Sequence, residues 1–130
     1  MELAQYLSSF DYEERKRMKI GLNELFELLI KDQVQFIDIR FKEEYQAWQF
    51  PFAKNIPLNE LPDRLSELDK NKLVVTACPH YDRAIMARIF LVTQGFKARY
   101  LVDGLLGMAN FLRGDNARDL LQLIEKSDNL

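Results

Sequence analysis

The stretch LVVTACPHYDRAIMARIF, Leu73 to Phe90, changes its hydrophobic period once. Leu73 to Ala77 is a short run of β-branched and small apolar residues, which predicts a buried strand. From Asp82 to Thr93 the residues Ala84, Ile85, Met86, Ala87, Ile89, Phe90, Leu91 and Val92 make a predicted helix apolar almost all round. A strand apolar on both faces, followed by such a helix, is the pattern of a parallel sheet covered on two sides. The fold class expected is therefore a three-layer α/β/α domain.

Between strand and helix stands Cys78, the only cysteine of the chain. In open α/β sheets ligands collect at the carboxyl ends of the strands, where helix N-termini point. The unpaired N–H groups there and the helix dipole favour negative charge. A thiol so placed is expected to have its pKa lowered below the free value of about 8.5. Arg83 adds a permanent cation with a planar fork of donors. Cys78 with Pro79, His80, Tyr81, Asp82 and Arg83 thus forms a candidate cradle for a sulfur anion. The alternative for Cys78 is a small inert core residue. His80, the single histidine, is either a donor beside the sulfur or an exposed loop residue. Tyr81 either offers its hydroxyl or packs over the loop. Asp82 is expected to cap the helix, since a carboxylate repels a thiolate.

Working outward, the same alternation continues. Leu3, Tyr6, Leu7 and Phe10 recur at helical spacing, Asp11 is placed to cap a second short helix, and Met18 to Ile20 reads as a strand. The N-terminal helix is either a docking face or packs on its own domain. Gly21 precedes a helix with Leu22, Leu25, Phe26 and Leu29 on one face. Val34 to Ile39 reads as a strand, Lys42 to Trp48 as a helix, and Phe50-Pro51-Phe52 as a loop. Asn59 is expected to cap a helix facing inward through Leu61, Leu65 and Leu68, with Pro62 in its first turn. Gly95 stops the helix after the cysteine, and Ala98 to Val102 is a further strand. Gly104, Gly107 and Gly114 are expected to break up the next segment, before a last helix through Ala117, Leu120, Leu121 and Ile124.

The totals exclude several classes. With 130 residues, 48% of them hydrophobic, the chain suffices for one domain with a real core. Eighteen Lys and Arg against twenty Asp and Glu leave a formal charge of -2, which does not suggest a nucleic-acid or membrane-surface binder. One Cys and one His do not make a usual zinc site, so no metal and no cofactor are expected. One cysteine forms no internal disulfide, and no signal peptide or spanning segment is read, so a cytoplasmic location is expected.

Three signatures from about Ile20 to Leu112 resemble the rhodanese (sulfurtransferase) family. The first is FIDIRFKEEYQAWQFPFAKNIPLNEL, with Asp38 and Arg40 on the strand, Glu44-Tyr45, then Ala53 and Ile56-Pro57. The second is the six-residue loop Cys78 to Arg83; the third is GFKARYLVDG, Gly95 to Gly104. The chain departs from the family pattern in the loop, where Pro79 removes an N–H, Tyr81 replaces a usual glycine, and Ala84 replaces a hydroxyl residue. It departs elsewhere at Trp48-Gln49, Asp103 and Met108. The pattern is read as one domain over residues 18–130, including a C-terminal helix at 115–127, after an N-terminal helical extension over residues 1–17; the resemblance implies a mainly parallel five-stranded sheet flanked by helices. It implies Cys78 as the sulfur acceptor, forming a persulfide, with Asp38 and Arg40 in support. The donor implied is a small sulfur-containing anion, of the thiosulfate or mercaptopyruvate type, or a protein persulfide; the acceptor is cyanide, a thiol or a protein. The short loop favours sulfur over the phosphate handled by related phosphatases, whose loop is one residue longer. Arsenate reduction normally wants a second thiol, which is absent. A non-catalytic module for partner binding or redox sensing is the alternative.

Overall fold

Each strand is followed by a segment that cannot pair with it directly, so the strands run parallel. The structure, a computed structural model, describes residues 1–128; residues 129–130 of the expected domain lie outside them. The strands are β1 (Lys19–Ile20), β2 (Val34–Asp38), β3 (Lys54–Asn55), β4 (Leu73–Ala77) and β5 (Ala98–Leu101). They form one parallel sheet in the order β1-β5-β4-β2-β3. The helices are α1 (Leu3–Ser8), α2 (Tyr12–Lys16), α3 (Leu22–Ile30), α4 (Lys42–Ala47), α5 (Asp82–Thr93), α6 (Gly104–Phe111) and α7 (Asp115–Asp128). None of these is long and apolar enough to cross a membrane.

Strand alternation sorts the core into two layers. Phe36, Val75, Ala77 and Leu101 face α3, α6 and α7 through Leu25, Phe26, Leu105, Met108 and Leu120. Ile37, Val74 and Cys78 face the other way, against Ala84, Ala87 and Leu91 of α5. The sulfur of Cys78 is therefore assigned to the α5 side of the sheet by the pleat alone. Helix α5 occupies the range read from its sequence. It ends as expected at Gly95 (φ 91°), where the N–H of Gly95 meets Val92 O at 3.1 Å and that of Phe96 meets Leu91 O at 3.0 Å.

Two expectations need correction. The helix after Asn59 is two 3-10 turns, Leu61–Asp63 and Leu65–Glu67. Pro62 has no N–H to donate, and the turns close with i to i+3 bonds, Leu61 O to Arg64 N at 3.1 Å and Leu65 O to Leu68 N at 3.0 Å. Gly104 and Gly107 do not break the chain but lie within α6; Gly104 opens it at φ 71°, and only Gly114 separates α6 from α7. The two-residue strand β3 carries no periodicity of its own and completes the five strands that the resemblance implies. At the N-terminus the helical face divides: Tyr6 is buried, whereas Leu7 and Phe10 are exposed. Asp11 caps α2 as read, its side chain accepting from Glu14 N.

Candidate functional site at the carboxyl end of β4

Strand β4 ends at Ala77, and the next residue, Cys78, is fully buried. Thr76 Oγ1 donates to Ala84 O at 2.8 Å, which fixes the first turn of α5 against the strand end. That brings the amide of Ala84 to 3.3 Å from Cys78 Sγ, and the amide of Arg83 also bonds the sulfur. The donors thus come from the first turn of α5. Pro79 is half-buried; His80, Tyr81 and Asp82 are exposed.

Tyr81 lies at φ -154°, and no residue from 78 to 83 has a positive φ. Tyr81 enters α5 at negative φ, so the position needs no glycine. The position before α5 is Tyr81, with no side-chain cap bond, and Asp82 is already the first helical residue. The expected capping role of Asp82 is therefore overturned. Its exposed carboxylate instead lies beside the sulfur, and the Cys78 thiol donates toward Asp82 Oδ1 at 3.8 Å.

The expected lowering of the thiol pKa is overturned as well. Burial pushes the Cys78 thiol up, and the Asp82 charge adds to the rise. The amides of Ala84 and Arg83 and the Arg83 charge act in the opposite direction and do not prevail. Removal from water penalises the thiolate more than two N–H groups compensate.

Arg83 does not hold its guanidinium free for a ligand. Its Nη1 and Nη2 donate to Glu44 Oε1 at 2.7 Å and Oε2 at 3.0 Å. This bidentate pair holds the Glu44 carboxyl below its usual range and raises Arg83 further. Glu44 also accepts from Phe41 N at 3.2 Å, which closes the first turn of α4.

Asp38 and Arg40 are joined in a buried pair, Arg40 Nη2 to Asp38 Oδ2 at 2.8 Å, and neither bonds the sulfur. Arg40 also donates to Trp48 O at 2.7 Å and stacks 4.2 Å from the centre of the Trp48 ring. Asn55 Nδ2 ties down Asp38 O and Arg40 O at 2.9 and 3.0 Å. Together they brace both ends of α4, and so the position of Glu44.

Two contributions escaped the sequence. Glu44 lies 39 positions before its partner Arg83. From the other core layer, Leu105 N donates to Cys78 O at 2.9 Å and Leu106 N to Pro79 O at 3.2 Å. Gly104 permits this approach, because a Cβ there would overlap the carbonyl oxygens of Pro79 and His80. Among the described residues no group of three or more His, Cys, Asp or Glu is placed to hold a metal.

The family model described as "Rhodanese-like domain" matches residues 22–110. The thiosulfate sulfurtransferase GlpE of Pseudoalteromonas translucida is 29% identical over 85 residues, 65% of this chain and 81% of that protein. An HTH-type transcriptional regulator of Mycobacterium tuberculosis, Rv0324, is 48% identical over 46 residues, 35% of this chain; the match spans only 20% of that longer protein. Among solved structures, the human single-domain sulfurtransferase TSTD1 is 26% identical with a TM-score of 0.63, covering 71% of this chain and 95% of that one. A rhodanese-like domain protein of Staphylococcus aureus is 28% identical with a TM-score of 0.64, covering 69% and 89%. A cysteine loop between a parallel strand and an apolar helix, inside a sheet ordered β1-β5-β4-β2-β3 and matched by that family model over most of its length, makes this chain a member of the rhodanese-like domain family.

Proposed function

We propose that the chain transfers sulfur through a persulfide on Cys78. The observation that carries this reading is the sulfur at the end of β4, with the amides of Arg83 and Ala84 on it and the Arg83 guanidinium on the same turn of α5. The sulfurtransferases among its relatives support it. The Cys78 thiol loses its proton to solvent, and the thiolate attacks the outer sulfur of a donor. The Sγ–S bond forms as the donor's S–S or C–S bond breaks. The electron pair of that bond leaves with the remainder, which is sulfite when the donor is thiosulfate. An acceptor nucleophile (cyanide, a thiol or a protein thiol) then attacks the terminal sulfur, and the electron pair of the breaking S–S bond returns to Sγ. No external oxidant or reductant is needed. The amides stabilise the charged sulfur in both half-reactions. Mass spectrometry of the reduced chain after exposure to thiosulfate, mercaptopyruvate and a small persulfide tests the reading. One added sulfur atom on Cys78, absent from Cys78→Ser, is the expected result. No gain from any donor class overturns it.

A second reading, a module that binds a partner without turnover, is favoured by the full burial of the thiol and its raised pKa. Redox sensing is not favoured, because a sensor thiol needs exposure and thiolate character.

A further inference from the structure

Two carboxylates stand where a cradle for a dianion is expected to present positive charge. Asp82 Oδ1 lies 3.8 Å from Cys78 Sγ. Glu44 occupies both terminal nitrogens of Arg83, at 2.7 and 3.0 Å. An anion that binds Arg83 must either displace this bidentate pair or approach from a side where the pair is nearly neutral. Meanwhile the sulfur itself faces Asp82. Repulsion from a fixed charge scales with the charge of the approaching group, so a dianion meets twice the barrier of a monoanion at the same distance.

We infer that Asp82 and Glu44 select the sulfur donor by charge, so that a neutral or singly charged persulfide loads Cys78 in preference to dianionic thiosulfate. The inference rests on the sulfur-transfer reading and names the donor class for it. Asp82 touches the reacting atom; Glu44 acts through Arg83 and is a positioning residue. With a persulfide donor, Cys78 thiolate attacks the terminal sulfur, Sγ–S forms, the donor S–S breaks, and the donor leaves as a thiolate.

The test compares loading rates of the full chain by thiosulfate and by cysteine persulfide, followed by mass spectrometry, in wild type, Asp82→Asn, Asp82→Glu and Glu44→Gln. Wild type is expected to prefer the persulfide, and its thiosulfate rate to climb with ionic strength as the repulsion is screened. Asp82→Asn shifts the thiosulfate-to-persulfide rate ratio toward thiosulfate by about tenfold, the scale on which charged clefts alter encounter. It also flattens the salt dependence. Glu44→Gln shifts the ratio in the same direction, while Asp82→Glu keeps the wild-type preference. Rates for both donors that move together in Asp82→Asn, or a wild-type thiosulfate rate equal to the persulfide rate and indifferent to salt, overturn the inference and leave sulfur transfer standing. Loading by neither donor in any variant overturns sulfur transfer itself.

Discussion

Cys78 carries opposing influences within one side chain. Burial and the Asp82 carboxylate favour the thiol; two amides and the Arg83 charge favour the thiolate, and the first pair prevails. At neutral pH the folded chain should therefore alkylate with iodoacetamide more slowly than free cysteine. The rate should still be climbing where an ordinary thiol, with a pKa of about 8.5, has begun to level off. A plateau below neutral pH contradicts this. The same shift acts on stability. Above the ordinary thiol value the unfolded chain releases a proton that the folded chain retains, so stability falls as pH rises toward the elevated folded value. Urea melts of wild type and Cys78→Ser across that range should diverge in this direction. Residue-scale reading of the sequence singles out Cys78 and Arg83 as candidates because both lie on one strand-to-helix junction. It missed the sign of the pKa shift, because burial depends on neighbours from other elements.

Helix α6 shows what an element contributes beyond its own sequence. Its glycines read as breaks, yet Gly104 at φ 71° starts a helix whose first amides hold the carbonyls of Cys78 and Pro79. Gly104→Ala adds a Cβ against the backbone of Pro79 and His80 in a backbone region costly for any L side chain. The expected cost is about 2 kcal/mol or more in chemical denaturation, with a loss of sulfur loading larger than the stability change accounts for. Gly107→Ala is the comparison. It gains helix propensity of up to about 1 kcal/mol against a Cβ contact of 2.9 Å with the Asp103 side chain, and it leaves the loop carbonyls alone. Equal effects of the two substitutions on loading contradict this account of α6. The 3-10 turns at Leu61–Asp63 and Leu65–Glu67 carry the complementary lesson: leucine spacing alone did not reveal that Pro62 and short closure prevent an α-helix.

At the scale of the molecule, the N-terminal segment is joined to the sheet through one buried cation. Arg88 of α5 is 1% exposed and donates to Tyr6 Oη at 2.6 Å, Glu14 Oε2 at 2.8 Å and Ala98 O at 2.9 Å. Helices α1 and α2 thereby satisfy a charge that α5 buries. Burial and the Glu14 bond push the Tyr6 phenol up, although Arg88 opposes them. Glu14→Ala leaves the guanidinium buried without its counter-charge and should cost about 3 kcal/mol in urea unfolding. Glu13→Ala, which removes the partner of the exposed Lys16 at 3.4 Å, should cost far less. Similar losses for the two variants contradict the account of Arg88 as the joint between the N-terminal helices and the sheet.

The sequence by itself determined the layers: short apolar strands, helices between them, and a cysteine and an arginine at the junction of Leu73–Ala77 with Asp82–Thr93. Those features rest on periodicity and turn chemistry, which act over a few residues. Only the tertiary structure decided which groups surround the sulfur. Glu44 reaches Arg83 across 39 positions, and Leu105 and Leu106 reach the cysteine loop from the opposite core layer. Electrostatics at a buried atom depends on every element packed around it, and that assembly has no local signature in the chain.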